Sequence, residues 1–270
     1  FITMKKSASS HIFHIPVMGL AFTIDTPEKV AKYGISSAIT IMEDHLIEKM
    51  RECLCKKENI PYEKISEKED DCRAKRITSY LNLLNEIVFK QIEKIRSEDF
   101  EKDYDINHYF KMLPDNSVEK KIYQTLFQYA ESDRKVIYQK LKDFIVPGSI
   151  DVNIMTKLDK TNYDKEGNEL PSEYSDALSA LRGYGNSNLK SSIVFSAGMN
   201  PRLFSYCEQF PDFFPDENGN IKKKIILKVS DYRSALIQGK YLAKKGLWVS
   251  EFRLESGINC GGHAFISDGV

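Results

Sequence analysis

Short apolar runs rich in β-branched residues alternate with helix-forming stretches along this chain, and that alternation restricts its fold more than any other feature. The runs are Ile15 to Phe22 (IPVMGLAF), Ile35 to Ile41 (ISSAITI), Asp151 to Thr156 (DVNIMT), Ser192 to Ala197 (SIVFSA), Lys224 to Val229 (KIILKV) and Leu247 to Arg253 (LWVSEFR). A strand buried on both faces reads as a nearly continuous apolar run, and strands separated by helices must pair in parallel. The expected class is therefore α/β with a parallel sheet.

Local signals place the connections. Thr26-Pro27-Glu28 reads as N-cap, N1 and N2 of a helix that runs to Tyr33 and stops at Gly34, where a left-handed C-cap is easy. Asn200-Pro201 opens another helix, which ends before Pro211. Asp216 to Gly219 is a turn with Gly219 able to take positive φ. Ser230 is expected to cap a helix that turns Ala235, Leu236, Tyr241 and Leu242 inward and ends at Gly246.

Between the second and third strands the character changes to long, charge-rich helices. Ile77, Leu81, Leu84, Val88, Ile92 and Ile95 recur every three to four residues, and Ile122, Leu126, Ile137, Leu141 and Phe144 form a second, less regular stripe. The expected partition is a partial barrel over 12–42 and 146–270, a helical insertion over 43–145 and a flexible N-terminus over 1–11. The insertion reads as a cap packed on the main domain with a solvated Lys/Glu face, or as a surface for a protein partner or a second copy.

Composition excludes several classes. Lys+Arg 39 against Asp+Glu 39 argues against a nucleic-acid binder that relies on bulk positive charge. No run approaches the ~20 apolar residues that span a bilayer, so no membrane role is expected. Five irregularly spaced cysteines (Cys53, Cys55, Cys72, Cys207, Cys260) make no disulfide framework and fit no common zinc pattern, so cytoplasmic residence is the expectation. The stretch 12–22 resembles a signal h-region, but His14 and Pro16 interrupt it and no small-residue cleavage site follows. The chain stops just after its most motif-like segment, which reads as a fragment whose first and sixth strands expose open edges.

Two architectures fit six β/α units: an open doubly wound sheet, or a (β/α)8 barrel cut off after its sixth strand. In both, ligands sit at the carboxyl ends of the strands. Glu255 to His263 (ESGINCGGH) lies at such an end, with Gly261-Gly262 permitting close backbone approach to a planar ligand and His263 poised as a base near neutral pH. Lys228 ends the fifth strand and can stabilise negative charge on a ligand, although Lys222, Lys223 and Lys224 beside it suggest an ordinary surface lysine. Asn153 in an apolar strand must find hydrogen bonds, and Ser196-Ala197-Gly198 has the small residues that close approach needs. Asn162 to Glu173 mimics a calcium loop, but Asn at its first position and Pro171 favour a hairpin.

Four of these segments resemble, in order, the FMN-dependent enoyl-acyl-carrier-protein reductase II and nitronate monooxygenase family. Asp151-Val152-Asn153-Ile154-Met155 is similar to its "GVNIM" strand, and Ser196 to Pro201 to its "TGAGNP" loop. Ile15 to Ala21 is similar to its "PIIQGGMA" strand, and Gly261-Gly262-His263 to the end of its "EAGGH" signature. The likeness covers about 15–42 and 150–265. It implies a TIM barrel truncated after strand 6, with FMN contacts at Gly19, Asn153, Ser196, Lys228, Gly261 and Gly262, and catalysis by His263. Two departures stand out. The helical segment between strands 2 and 3 is foreign to the family, and Glu255 precedes His263 by eight positions where the family spacing is four. Four extra residues can displace a loop atom by up to ~13 Å.

The resulting expectation is an FMN-dependent oxidoreductase acting on a small nitro or nitronate substrate. The alternatives are an NAD(P)H-dependent enoyl-thioester reductase on the same barrel, a glutamate-synthase-like FMN barrel, and a non-catalytic partner-binding protein that works through its helical insertion.

Overall fold

The structure, a computed structural model, describes residues 11, 14–17, 24–102, 104–196 and 198–255. Among the described residues six strands form one sheet: β1 (His14–Ile15), β2 (Ser36–Thr40), β3 (Ile150–Met155), β4 (Ser192–Ser196), β5 (Lys224–Val229) and β6 (Val249–Leu254). Their spatial order is β1-β2-β3-β4-β5-β6, and every described pairing is parallel. A doubly wound sheet reverses its strand order at a switch point, and this one does not. The order is consistent with a (β/α)8 barrel truncated after its sixth strand.

The helices are α1 (Thr26–Val30), α2 (Asp44–Lys57), α3 (Cys72–Ser97), α4 (Asp105–Met112), α5 (Val118–Gln124), α6 (Glu131–Phe144), α7 (Asp176–Gly185), α8 (Pro201–Tyr206) and α9 (Tyr232–Ala243). Five of them, α2 to α6, lie between β2 and β3 in sequence. No helix among the described residues is long and apolar enough to cross a membrane.

The chain divides into two compact units. One contains the described residues up to Pro16, Thr26–Ser37 and Leu84–Ile150; the other contains the rest, including Ala38–Leu83 and the described residues from Asp151 on. In the first, α1 runs into a 3-10 turn at Ala31–Tyr33, and Gly34 closes it with φ 76° and its N–H on Ala31 O, as the glycine signal predicts. Its core gathers Ile92, Ile95, Phe100, Ile106, Tyr109, Phe110, Leu113, Leu126, Leu141 and Ile145. Ile122, Ile137 and Phe144 of the second stripe are only partly buried against this core, because α5 and α6 are amphipathic helices on its rim.

The strands β2 to β5 are buried along nearly their whole length. Two hairpins repeat one turn. Asp164 and Asp216 each accept the N–H of the residue four positions on, Asn168 and Asn220, through Oδ1 at 2.8 Å. Gly219 takes φ 79° there, and the bridge Tyr163–Glu169 makes the calcium-like loop a hairpin.

Several expectations need correction. The residue that caps α9 is Asp231, whose Oδ1 accepts the N–H of Ser234 at 2.7 Å, so the helix starts one residue later than Ser230 implied. Leu242 is buried, but Leu236 faces solvent and Ala235 and Tyr241 are only half-buried, because α9 lies on a strand at the sheet edge. Lys223, just before the fifth strand, is fully buried. Its Nζ donates to Ser187 O at 2.7 Å and to Asp212 at 2.6 Å, which satisfies the charge. The sixth strand runs over Val249–Leu254, two residues past the expected start. Of the first apolar run, residues 18–22 lie outside the described residues.

Candidate functional site at the strand ends

Successive residues of a strand face opposite sides of the sheet, so the register decides which side chains share a face. Val152, Asn153, Ile154 and Met155 of β3 stand beside Ile193, Val194, Phe195 and Ser196 of β4. Ile193, Val194 and Phe195 stand beside Ile225, Ile226 and Leu227 of β5. Asn153, Val194, Ser196, Ile226 and Lys228 therefore occupy one face, and Val152, Ile154, Ile193, Phe195, Ile225 and Leu227 the other. The second face is apolar throughout and carries helices: the ring of Phe195 meets that of Phe204 on α8 at 5.0 Å.

The first face carries the polar groups. Asn153 Nδ2 donates to Thr40 Oγ1 of β2 at 3.2 Å, and both residues are buried. Ser196 Oγ donates to Ile154 O at 3.4 Å. The Lys228 ammonium pairs with the Glu255 carboxylate, whose own backbone N–H continues the ladder to Val229 O at 2.9 Å. The face thus presents an amide, two hydroxyls and a cation toward the carboxyl ends of consecutive strands.

On β6 the register changes. Ile225 pairs with Val249 but Ile226 pairs with Glu251, so Ser250 is an extra residue in the ladder. Such a bulge re-aims every side chain beyond it. Without it Glu251 and Arg253 would join the apolar, helix-covered face. With it they stand beside Ile226 and Lys228, and Phe252 instead turns to α9, where Gly239 leaves room for its ring.

The loops after β3 and β4 are tied together. Thr156 Oγ1 donates to the carbonyls of Ser196 and Gly198, each at 2.8 Å. Asn200 caps α8 by accepting from Leu203 N at 3.0 Å, and its amide donates to Thr156 O and Asp159 Oδ2, both at 3.1 Å. Arg202 donates to the same Asp159 oxygen at 2.6 Å, and Ala177 N–H to the other at 3.2 Å. Burial alone would raise the Asp159 pKa, but these donors outweigh it and hold the carboxyl below its ordinary 3.8.

The loop after β2 is fixed by charge. Arg76 donates to Asp44 at 2.7 Å with both side chains buried, while Arg73 bridges Asp44 (3.3 Å) and Asp176 (3.1 Å). Fully partnered, these groups hold the rim of the sheet in place.

Asn153, Ser196 and Lys228 are thus brought to one face. Gly19, Gly261, Gly262 and His263 lie outside the described residues. Sequence reasoning missed Thr40, Thr156, Glu251 and Arg253. Thr40 had a signal, the alternation Ser36-Ala38-Thr40 in a buried strand, whereas the Ser250 bulge leaves no local trace. Among the described residues no group of His, Cys, Asp or Glu is placed to hold a metal ion. No family model, curated protein or solved structure matches the chain.

Proposed function

We propose that the chain is an FMN-dependent oxidoreductase of the nitronate monooxygenase kind, acting on a small nitro or nitronate substrate. The observation that supports this reading is the shared face of Asn153, Ser196 and Lys228 in the carboxyl-terminal halves of three consecutive parallel strands. The donor set suits a flavin ring: an amide and a hydroxyl can bond to its polar edge, and a cation can balance charge gained on reduction. Bound there, FMN would supply two-electron oxidation of the substrate and transfer of those electrons to O2.

The residues of the chain have separate tasks in this reading. Asn153, fixed against Thr40, orients the ring edge. Lys228, beside Glu255 at the strand end, supplies a positive charge near the reaction centre. The helix-covered opposite face keeps the strands rigid beneath them. His263 is the base that takes the proton α to the nitro group, a contribution of about 10²–10⁴ in rate.

The test is optical. Purified full-length protein that shows flavin absorbance, or that quenches the fluorescence of added FMN, is the expected result, and Lys228→Met should weaken that binding. Full-length protein that is colourless and leaves added FMN fluorescence unchanged overturns the proposal. Oxygen uptake with a nitronate, set against NAD(P)H oxidation with an enoyl thioester, then separates the monooxygenase from the reductase.

A further inference from the structure

We infer that Lys228 and Arg253 form a binding site for a doubly charged oxyanion of the phosphate-monoester class, with Glu251 and Glu255 as resident counter-charges that such a ligand displaces. The inference shares Lys228 with the flavin reading but does not depend on it.

The two cations are register partners on adjacent strands, so their side chains leave the sheet side by side on the same face. Like charges at that spacing repel and need anions beside them. Each has one. Glu255 pairs with Lys228, and Glu251 takes Arg253 in a two-point contact, Nε to Oε1 at 2.5 Å and Nη2 to Oε2 at 3.3 Å.

The layering of this quartet is uneven. The cations are the inner members, with side chains 20% (Lys228) and 17% (Arg253) exposed, and the carboxylates the outer ones, at 38% (Glu255) and 47% (Glu251). Ion pairs in which one partner is that exposed are weak, so both carboxylates are exchangeable. A planar guanidinium fork beside a point-charge ammonium matches the oxygens of a phosphate group, which can replace both carboxylates at once.

The bulge gives the arrangement its second support. The extra residue Ser250 places Arg253 beside Lys228 on the polar face; a regular ladder would have put it under the helices. Bulges recur next to binding sites because they re-aim a side chain in this way.

Inorganic phosphate is the probe, titrated into the full chain by calorimetry. Native protein should bind it weakly, and the E251Q/E255Q variant at least about ten-fold more tightly. Adding K228Q and R253Q to that variant should abolish the gain. The matched control is E86Q/E93Q, which removes two carboxylates from exposed ion pairs with Lys90 and Arg96 on α3 and should leave phosphate binding at the native level. Equal affinity in E251Q/E255Q and native protein overturns the inference. So does a gain that survives K228Q/R253Q or appears equally in the control. If E251Q/E255Q does not melt cooperatively, E255Q alone gives the same reading at smaller amplitude. FMN binding is scored separately by fluorescence, so either idea can fail without the other.

Discussion

Asn153 on β3 donates its side-chain amide to the hydroxyl of Thr40 on β2 at 3.2 Å, in a stretch where both strands are buried. A buried amide that loses its partner costs about 1–3 kcal/mol, whereas replacing both partners with apolar groups of similar shape is nearly neutral. Thr40→Val should therefore lower stability by about that amount. The double variant Thr40→Val/Asn153→Leu should recover most of it and, on the proposed flavin reading, bind FMN more weakly than the native chain. Urea denaturation followed by circular dichroism, with flavin fluorescence in parallel, separates the two effects. A Thr40→Val midpoint equal to that of the native chain would show that Asn153 does not need this partner.

The buried pair Asp44–Arg76 supports a second expectation. Arg76 also donates Nε and Nη2 to Ile65 O, at 3.2 and 2.9 Å, so its guanidinium anchors the segment after α2 as well as the start of that helix. Removing one member of a buried pair strands the other charge, at a cost of about 3–5 kcal/mol. Asp44→Ala should fall in that range. Asp44→Leu/Arg76→Met should be less destabilised than either single variant, because no isolated charge remains. Additive losses in the double variant would mean that the two residues act independently.

Acid stability should depend on Asp159. Its carboxyl is held below the ordinary 3.8, because the Ser175 hydroxyl and the donors from Arg202, Asn200 and Ala177 together outweigh the opposing effect of burial. A group whose folded pKa is depressed adds stability that is fully present above the unfolded value. That contribution disappears as pH falls through the lower, folded value. Native protein should thus lose stability below pH 3.8, and Asp159→Asn, with no carboxylate to protonate, should show a flatter acid limb. Asp212, lowered by Lys222 and Lys223 against the effect of its burial, will leave part of the slope in the variant. The check is the unfolding free energy measured from about pH 5 to about pH 2 for both proteins. Parallel curves would remove Asp159 from the acid transition.

Features that depend on a few neighbouring residues were legible in the sequence. The strand Lys224–Val229 has its expected limits, Gly34 closes the turn after α1, and Asn200 caps α8 with Pro201 behind it. Each follows from local chemistry. The stripe Ile77 to Ile95 is buried as its spacing requires. The Ser250 bulge was not legible, because it exists only as a mismatch between β5 and β6, and no periodicity in LWVSEFR reveals it. The burial of Lys223 was not legible either, because its partners Ser187 and Asp212 are distant in sequence. The site divides the same way: Asn153 stood out as an amide inside an apolar strand and Ser196 and Lys228 as small or polar residues at strand ends, whereas Arg253 reaches their face only through the bulge.

Gly183 supplies a case in which helix propensity and packing disagree in sign. In the middle of a helix, alanine is worth about 1 kcal/mol more than glycine, so Gly183→Ala on α7 should stabilise the protein if propensity decided. A Cβ at Gly183 would lie 2.7 Å from the Cβ and Cγ2 of Ile77 and 3.0 Å from Ala74 O, on the part of α3 in the same unit. Neither neighbour is the free end of a flexible side chain. The two helices would have to separate, which also strains the bond from Thr78 Oγ1 to Gly183 O at 2.9 Å. Overpacking of this kind costs about 1–3 kcal/mol and here outweighs the gain in propensity. Gly183→Ala should therefore lower the thermal midpoint, and Ile77→Ala in the same chain should remove part of the clash, so that the double variant loses less than the sum of the singles. A raised midpoint in Gly183→Ala would mean that α7 and α3 are not in this close contact in solution.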